Sequence, residues 1–155
     1  MTYEELSLQY EHLTILETDL SHVDGLKGLY VDECIAIEKD LSYIEKSCIL
    51  AEEIGHYLTS SGDILDQSKT ENRKQEFKAR SWAYDKQVGL IGIINAYDAG
   101  CHNLFEMAEY LDVTEDFLAE ALESYRRKYG EYIAMDNYIV YFEPSLCVLK
   151  LYQQI

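Results

Sequence analysis

The first 60 residues predict a few short strands followed by a long helix. Apolar residues recur at helical spacing, then alternate as they do in strands, and then return to helical spacing. The predicted elements are a helix over 1–13, a strand over 14–18, a hairpin within 25–39 and a helix over about 42–58. The hairpin would turn at Asp32-Glu33, between apolar strands over 29–31 and 34–37.

The remaining residues predict further helices and a β-rich end. The predicted helices cover 71–87, 88–100 and, within 103–130, both sides of a turn at Asp112-Val113-Thr114. They are followed by a hairpin within 131–142, turning at Asp136-Asn137, and by a last strand within 146–152. Together the patterns indicate an α+β fold that is mainly helical, with a small N-terminal sheet and a C-terminal β-hairpin.

Three of the predicted helices begin with the spacing of a capping box. In this motif a Ser or Thr and the Glu three residues later each bond the other's backbone N–H. The pairs are Thr2 with Glu5, Ser42 with Glu45 and Ser68 with Glu71. Near the other end of the chain, Gly130 is placed to terminate the helix that precedes it.

The length and composition are those of a globular protein. The chain has 155 residues, of which 48% are hydrophobic and 27% charged. This length fits one domain, or one domain with a small appendage. We predict a core over 1–100, with 101–155 carrying the two helices around the turn and the C-terminal hairpin, packed on that core.

The chain is strongly acidic, with 13 Lys and Arg against 29 Asp and Glu and a formal net charge of −16. Nucleic-acid affinity comes largely from Lys and Arg that displace counterions, so a nucleic acid is not expected as a direct partner. Cations and basic protein surfaces fit better. No apolar run reaches the length of a membrane span and the N-terminus lacks an apolar signal core, so a cytoplasmic location without membrane contact is expected.

Candidate chemistry lies in residues 48–62, CILAEEIGHYLTSSG. On a helix, residues four apart share a face, so Glu52 and His56 point the same way and can bind the same metal ion. Glu53 lies about 100° round the helix, beside such an ion. This is the arrangement of the zinc motif His-Glu-x-x-His, with a carboxylate replacing the first imidazole. The same string also arises by chance on acidic helices, and a catalytic zinc ion needs a third protein ligand.

The stretch CILAEEIGHYL, followed by QEFKARSWAYDKQV on the next helix, resembles the ImmA/IrrE family of metallopeptidases. That family's metal helix typically reads A-H-E-L-G-H, and its next helix carries a glutamate in an E-x-x-A-x-x-F-A pattern. Here the second pattern reads EFKARSWA over 76–83, with Trp in place of Phe. The preceding hairpin GLYVDECIAIEK and the later two-helix segment also match, so the resemblance covers about residues 10–130.

The resemblance implies a zincin-like fold and a metallo-endopeptidase of prophage or mobile-element type. Such an enzyme would cleave a helix-turn-helix repressor by metal-assisted peptide hydrolysis and so release transcription. Residue by residue, Glu53 matches the catalytic glutamate, His56 the second histidine ligand and Glu76 the downstream carboxylate ligand. Glu52 stands at the position of the first histidine, so the implied metal ligands are Glu52, His56 and Glu76, with Zn²⁺ as the cofactor.

The replacement of histidine by Glu52 leaves two functions open. Two carboxylates and one imidazole make a metal ion a weaker Lewis acid than two imidazoles and one carboxylate do. An oxygen-rich site also favours harder ions, which makes Mn²⁺ the alternative to Zn²⁺. Without a metal, the crowded Glu52, Glu53 and Glu76 would leave one carboxyl protonated. The chain is therefore either a metallo-endopeptidase with a degenerate Glu-Glu-x-x-His motif or an inactive relative that regulates a repressor by binding.

Residues 105–125 have the pattern of a helix-turn-helix, but with an acidic second helix. A DNA-reading version places Arg, Asn, Gln or Ser at the start of that helix. Here Thr114-Glu115-Asp116 stands there, followed by Glu120 and Glu123, whose charges would repel phosphate. Arg126-Arg127-Lys128 lies at the far end, where it complements the helix dipole. A DNA-binding regulator is therefore the least favoured function. The resemblance to the ImmA/IrrE family implies instead that the partner is a DNA-binding repressor protein.

Overall fold

The structure, a computed structural model, describes residues 1–60 and 69–152. The chain divides into two compact units, Met1–Gln87 (unit 1) and Val88–Ile155 (unit 2). Within the described ranges, six helices and two three-stranded sheets make the fold α+β, as predicted. The zincin-like and helix-turn-helix assignments stay predictions. None of the helices in these ranges is long and apolar enough to cross a bilayer.

Unit 1 contains the elements predicted for the first half of the chain. In order they are α1 (Tyr3–Gln9), β1 (Thr14–Thr18), β2 (Gly28–Val31), β3 (Cys34–Glu38), α2 (Tyr43–Thr59) and α3 (Lys69–Gln87). Thr2 and Ser42 form the predicted capping boxes. Each hydroxyl accepts a hydrogen bond from the backbone N–H of the glutamate three residues later, and the side chain of that glutamate accepts one from the backbone N–H of the capping residue. The third predicted pair, Ser68 with Glu71, lies outside the described side chains.

The sheet of unit 1 has the strand order β1-β3-β2. β1 runs parallel to β3, whereas β2 pairs with β3 as the predicted antiparallel hairpin. Asp32 and Glu33 at its turn have φ values of 49° and 62°, the left-handed conformation that a two-residue hairpin loop of type I′ requires. β3 packs against α2, and its Ile35 and Ile37 are fully buried.

The helices α2 and α3 form the most extensive helix pair in unit 1. Gly55 lies where they cross, because a Cβ atom added there would sit 2.3 Å from the backbone oxygen of Ala79. The absence of a side chain at Gly55 therefore allows the two helices to approach each other closely. On the same helix, Leu50, Ala51 and Ile54 are fully buried and anchor α2 in the core.

Unit 2 consists of a run of helices followed by a sheet. Its elements are α4 (Gly89–Asp98), α5 (Leu104–Leu111), α6 (Glu115–Tyr129), β4 (Tyr132–Met135), β5 (Tyr138–Tyr141) and β6 (Cys147–Lys150). α4 packs on α5, and both helices belong to unit 2. The division into 1–100 and 101–155 stays a prediction. β6 pairs with β5, so the predicted C-terminal hairpin is part of a three-stranded antiparallel sheet.

The helix ends in unit 2 are defined by local signals. The Thr114 side chain accepts from the backbone N–H of Phe117 and caps α6. Asp112, which ends α5, adopts a left-handed conformation with φ of 57°. Gly130 has φ of 83° and terminates α6, as predicted, at a position where a side chain would be strained.

Candidate functional site

The packing of α2 on α3 brings His56 and Glu76 into contact. Their Nε2 and Oε2 atoms lie 3.0 Å apart. His56 follows Gly55 at the helix crossing, and Glu76 lies about one turn before Ala79, the residue that Gly55 touches. The close crossing therefore sets the separation of these two predicted site residues. The side chain of His56 is 24% exposed and that of Glu76 is 45% exposed, so solvent reaches the pair mainly from the α3 side.

Arg80 forms an ion pair with the other carboxylate oxygen of Glu76. Its Nε lies 3.1 Å from Glu76 Oε1, in an i,i+4 pair on α3. Each carboxylate oxygen of Glu76 thus has a protein partner, His56 on one side and Arg80 on the other. Arg80 was not among the residues predicted for the site, although the spacing in EFKAR was a signal for this pair.

Glu53 is half-buried beside the edge strand β2. A Cβ atom added at Gly28 would lie 2.9 Å from Glu53 Oε1, so this glycine makes room for the carboxyl group. Burial, and then the charges of Glu52 and Glu76, raise the pKa of Glu53 to about 7. A carboxyl group that holds a proton near neutral pH is the result expected when three carboxylates crowd together. Gly28 was not anticipated from the sequence, because its role depends on how the strand packs on the helix.

The predicted metal ligands do not form a three-ligand set in this arrangement. His56 and Glu76 touch, but the described ranges, 1–60 and 69–152, contain no group of three or more His, Cys, Asp or Glu side chains that could hold a metal ion. A catalytic zinc ion requires three protein ligands. Glu52 is close enough for its charge to raise the pKa of Glu53. Zn²⁺, and Mn²⁺ as its alternative, accordingly stay predictions.

A group of aromatic rings lies next to the candidate site. Tyr57, which follows His56, has its ring 5.8 Å from Tyr30 and 5.9 Å from His12. The Tyr57 hydroxyl also lies 3.4 Å from His12 Nε2. On the same side of unit 1, Tyr10 packs edge-on against Trp82 at 6.1 Å. Aromatic faces beside carboxylates favour Lys and Arg side chains of a partner, because ring and carboxylate both attract a cation.

The start of α6 is acidic in the structure as well as in the sequence. Glu115, Asp116 and Glu120 are exposed. Glu123 is half-buried instead, and hydrogen bonds from Arg126 lower its pKa to about 2. The positive charge of Arg126 is thus directed at protein carboxylates, which adds to the sequence argument against DNA reading by this helix.

Comparisons of the chain with protein-family models, with curated proteins and with solved structures found no match. The resemblance to the ImmA/IrrE family therefore stays a prediction that rests on the stretches 48–58 and 75–88. Of the predicted site residues, His56 and Glu76 are in contact, and the charges of Glu52 and Glu76 act on Glu53.

Proposed function

We propose that this chain is a non-catalytic relative of the ImmA/IrrE metallopeptidases that regulates a helix-turn-helix repressor by binding it. The observation that carries the proposal is the engagement of Glu76 at both oxygens, by His56 at 3.0 Å and by Arg80 at 3.1 Å. To bind a metal ion, Glu76 would have to exchange its contact with His56 for the ion. Arg80 would then remain as a positive charge beside a divalent cation, which is unfavourable.

The glutamate at position 52 supports the same proposal. A carboxylate in place of an imidazole makes the donor set more anionic and a metal ion bound there less acidic. The proton that Glu53 holds near neutral pH relieves the repulsion among the three carboxylates without any ion. The fold can therefore keep this cluster as a surface feature that needs no metal.

A binding role also fits the charge and the aromatic surface of the molecule. The net charge of −16 attracts a partner with a basic surface and speeds the encounter. Tyr57 and Tyr30 provide aromatic faces near the carboxylates of α2 for Lys or Arg side chains. DNA-binding repressors carry such basic surfaces, since they neutralise phosphates.

The second candidate function is that of a metallo-endopeptidase acting on the same class of repressor. It is favoured by the contact between His56 and Glu76 with Glu53 nearby, because these are the positions that the resemblance assigns to the site. A pKa of about 7 also suits Glu53 to general-base work at neutral pH.

Zinc stoichiometry, repressor binding and repressor cleavage, measured on the same preparations, separate these functions. A helix-turn-helix repressor encoded near the gene would be the first one to test. We expect the parent to purify with little zinc and to bind the repressor without cleaving it. Glu52→His gives the set of two imidazoles and one carboxylate that the resemblance implies, and it should raise zinc content. The matched control, Glu109→His on an exposed position of α5, should leave zinc content at the parent level.

Two results would overturn the proposal. Cleavage by the parent that disappears in Glu53→Gln would establish the second candidate function instead. Failure of the parent to bind any neighbouring repressor, with the fold intact by circular dichroism, would remove the proposed partner.

A further inference from the structure

Unit 2 contains an open cavity of about 580 Å³ that no part of the proposed site uses. It lies among the end of α4, the exposed side of α5 and α6, and the start of β6. Its volume is within the range of about 300–1,000 Å³ typical of ligand pockets. The apolar part of the wall is formed by Leu104, Met107, Leu122, Phe142, Leu146 and Val148.

The mouth of the cavity is apolar and faces solvent. Tyr97 is 40% exposed and Leu104 38% exposed, and both line the opening. Apolar side chains that line a cavity and remain in contact with water are typical of a site that another molecule covers.

The polar side chains of the wall disfavour an anionic ligand. The guanidinium of Arg126 donates through Nε to Glu123 at 2.8 Å and through Nη1 to Glu143 at 3.0 Å. Arg126 is thus matched by two carboxylates, one of which, Glu123, also pairs with Arg127 at 3.3 Å, so the positive charge of Arg126 is already neutralised within the fold. An acid entering the cavity would have to displace one of them and would meet the other.

The surroundings of the cavity are acidic and suit a cationic occupant. Residues 88–155 include eleven acidic and four basic side chains. Asp98 follows Tyr97 at the mouth, and Glu106 accepts a hydrogen bond from the backbone of the lining residue His102. On α6, the exposed Asp116 lies one turn before the lining residue Ala119 and shares its face.

The shape favours a helix over a small molecule. The lining positions of α6 run from Ala119 to Arg126, and Asp116 extends the same face by one turn. From Asp116 to Arg126 the helix rises by about 15 Å, which is nearly the length of three turns of a partner helix. Apolar side chains at i, i+4 and i+7 of such a helix can enter the cavity while its Lys or Arg residues meet the acidic rim.

We infer that this cavity binds a cationic amphipathic helix of a partner protein. The inference rests on the proposed function only for the identity of that protein, which would be the repressor. The binding itself requires nothing from the His56–Glu76 site, since every lining residue belongs to unit 2.

Two synthetic peptides test the inference directly. The first is an 18-residue amphipathic helix of Leu and Lys, and the second has the same pattern with Glu in place of Lys. Fluorescence anisotropy with the full chain should show binding of the Leu/Lys peptide that weakens with salt, and no binding of the Leu/Glu peptide.

Cavity variants separate specific docking from general attraction to an acidic protein. Leu122→Ala removes part of the wall and should weaken peptide binding about tenfold. Ala119→Arg, at an exposed lining position, should block the mouth without disturbing the core. The control Ile91→Ala alters an apolar residue of α4 that is 65% exposed and does not line the cavity, so affinity should not change.

The same variants distinguish failure of this inference from failure of the proposed function. Equal peptide affinity for the parent, Leu122→Ala and Ala119→Arg would overturn the inference. Repressor binding that is unaffected by Ala119→Arg, in a variant that no longer binds the peptide, would support the inference, leave the proposed function in place and exclude the repressor as the owner of the helix. Cavity-dependent peptide binding by a chain that binds no repressor would support the inference and remove the proposed partner.

Discussion

Glu53 illustrates how burial and neighbouring charge act together on one side chain. Gly28 of β2 lies against its carboxyl group and shields it from water. Glu52 and Glu76 add negative charge, and together with burial they raise the pKa from 4.5 to about 7. The folded chain therefore binds a proton at Glu53 more tightly than the unfolded chain does, and this difference makes the stability depend on pH.

Removing the charge of Glu53 should stabilise the fold at neutral and alkaline pH. Because the pKa is raised on folding, the contribution of Glu53 is most favourable below pH 4.5 and is lost as the pH rises towards 7. Glu53→Gln cannot ionise and avoids this loss, so its free energy of unfolding should exceed that of the parent by about 1–3 kcal/mol at pH 8. Urea unfolding at pH 8 and pH 5.5 should show the gain at least halved at the lower pH.

The matched control for this titration is Glu109→Gln, which changes an exposed carboxylate on α5. Its effect on the free energy of unfolding should be small at both pH values. A gain for Glu53→Gln that is the same at pH 5.5 and pH 8 would contradict a raised pKa as its cause.

The sequence could predict the site residues that lie on a single helix, because helical geometry fixes their relative positions. Glu52, Glu53 and His56 are related by helical spacing alone. The match of Glu76 came instead from the resemblance, because its contact with His56 depends on how two helices cross. Gly28 could not be found in this way, since nothing near it in the chain shows that β2 will lie against Glu53.

At the scale of elements, local signals predicted helix ends and hairpins, but not the pairing of distant strands. The hydroxyls of Thr2 and Ser42 bond atoms within the same helical turn, so their motif is sufficient to identify them. The parallel pairing of β1 with β3 joins two segments that are separated in the chain by β2. Such pairings depend on the competing packing choices of the whole unit, which alternation of apolar residues does not specify.

The crossing of α2 and α3 should be intolerant of any side chain at Gly55. In Gly55→Ala, the new Cβ would lie 2.3 Å from the backbone oxygen of Ala79, which cannot rotate away. The helices must separate, at an expected cost of about 1–3 kcal/mol in the free energy of unfolding. Urea denaturation measures this change, and the contact between His56 and Glu76 should be lost with it.

Gly92→Ala provides a matched control within helix α4. Its Cβ would approach the flexible end of Leu111, at 3.2 Å, instead of backbone. Alanine also favours helix over glycine by about 0.5–1 kcal/mol, which should offset the crowding and leave stability nearly unchanged or slightly higher. Equal destabilisation by both substitutions would show that Gly55 has no special role at the crossing.

Helix α6 should not bind duplex DNA, even at low ionic strength. Its exposed Glu115, Asp116 and Glu120 would face the phosphates if the helix entered a groove. We expect no change in the anisotropy of a labelled duplex at about 50 mM salt. The charge-reversed variant with Lys at all three positions should bind weakly and in a salt-sensitive manner. Salt-sensitive binding by the parent would contradict the acidic-helix interpretation.

At the scale of the whole molecule, excess negative charge is the dominant electrostatic property. The chain carries 29 acidic and 13 basic residues, and several of the basic ones are already paired, such as Arg127 with Glu123 at 3.3 Å. Exposed pairs of this kind contribute little to stability, typically about 0–1 kcal/mol. Repulsion among the remaining carboxylates should therefore outweigh attraction, a condition that favours basic partners and opposes compactness.

Salt should consequently stabilise the fold. Raising NaCl shortens the distance over which exposed charges interact from about 30 Å at 0.01 M to about 3 Å at 1 M, so the repulsion between carboxylates fades. We expect the Tm at pH 7.5 to rise by about 2–4 °C across this range, which corresponds to about 1 kcal/mol for a chain of this length. A variant with the exposed Asp24, Glu109 and Asp136 changed to their amides should start at a higher Tm and rise less. A Tm that falls with salt would mean that ion pairs such as that of Arg126 with Glu123 outweigh the repulsion between carboxylates. The acidic side chains would then be neutralised within the fold and would not be available to attract a basic partner.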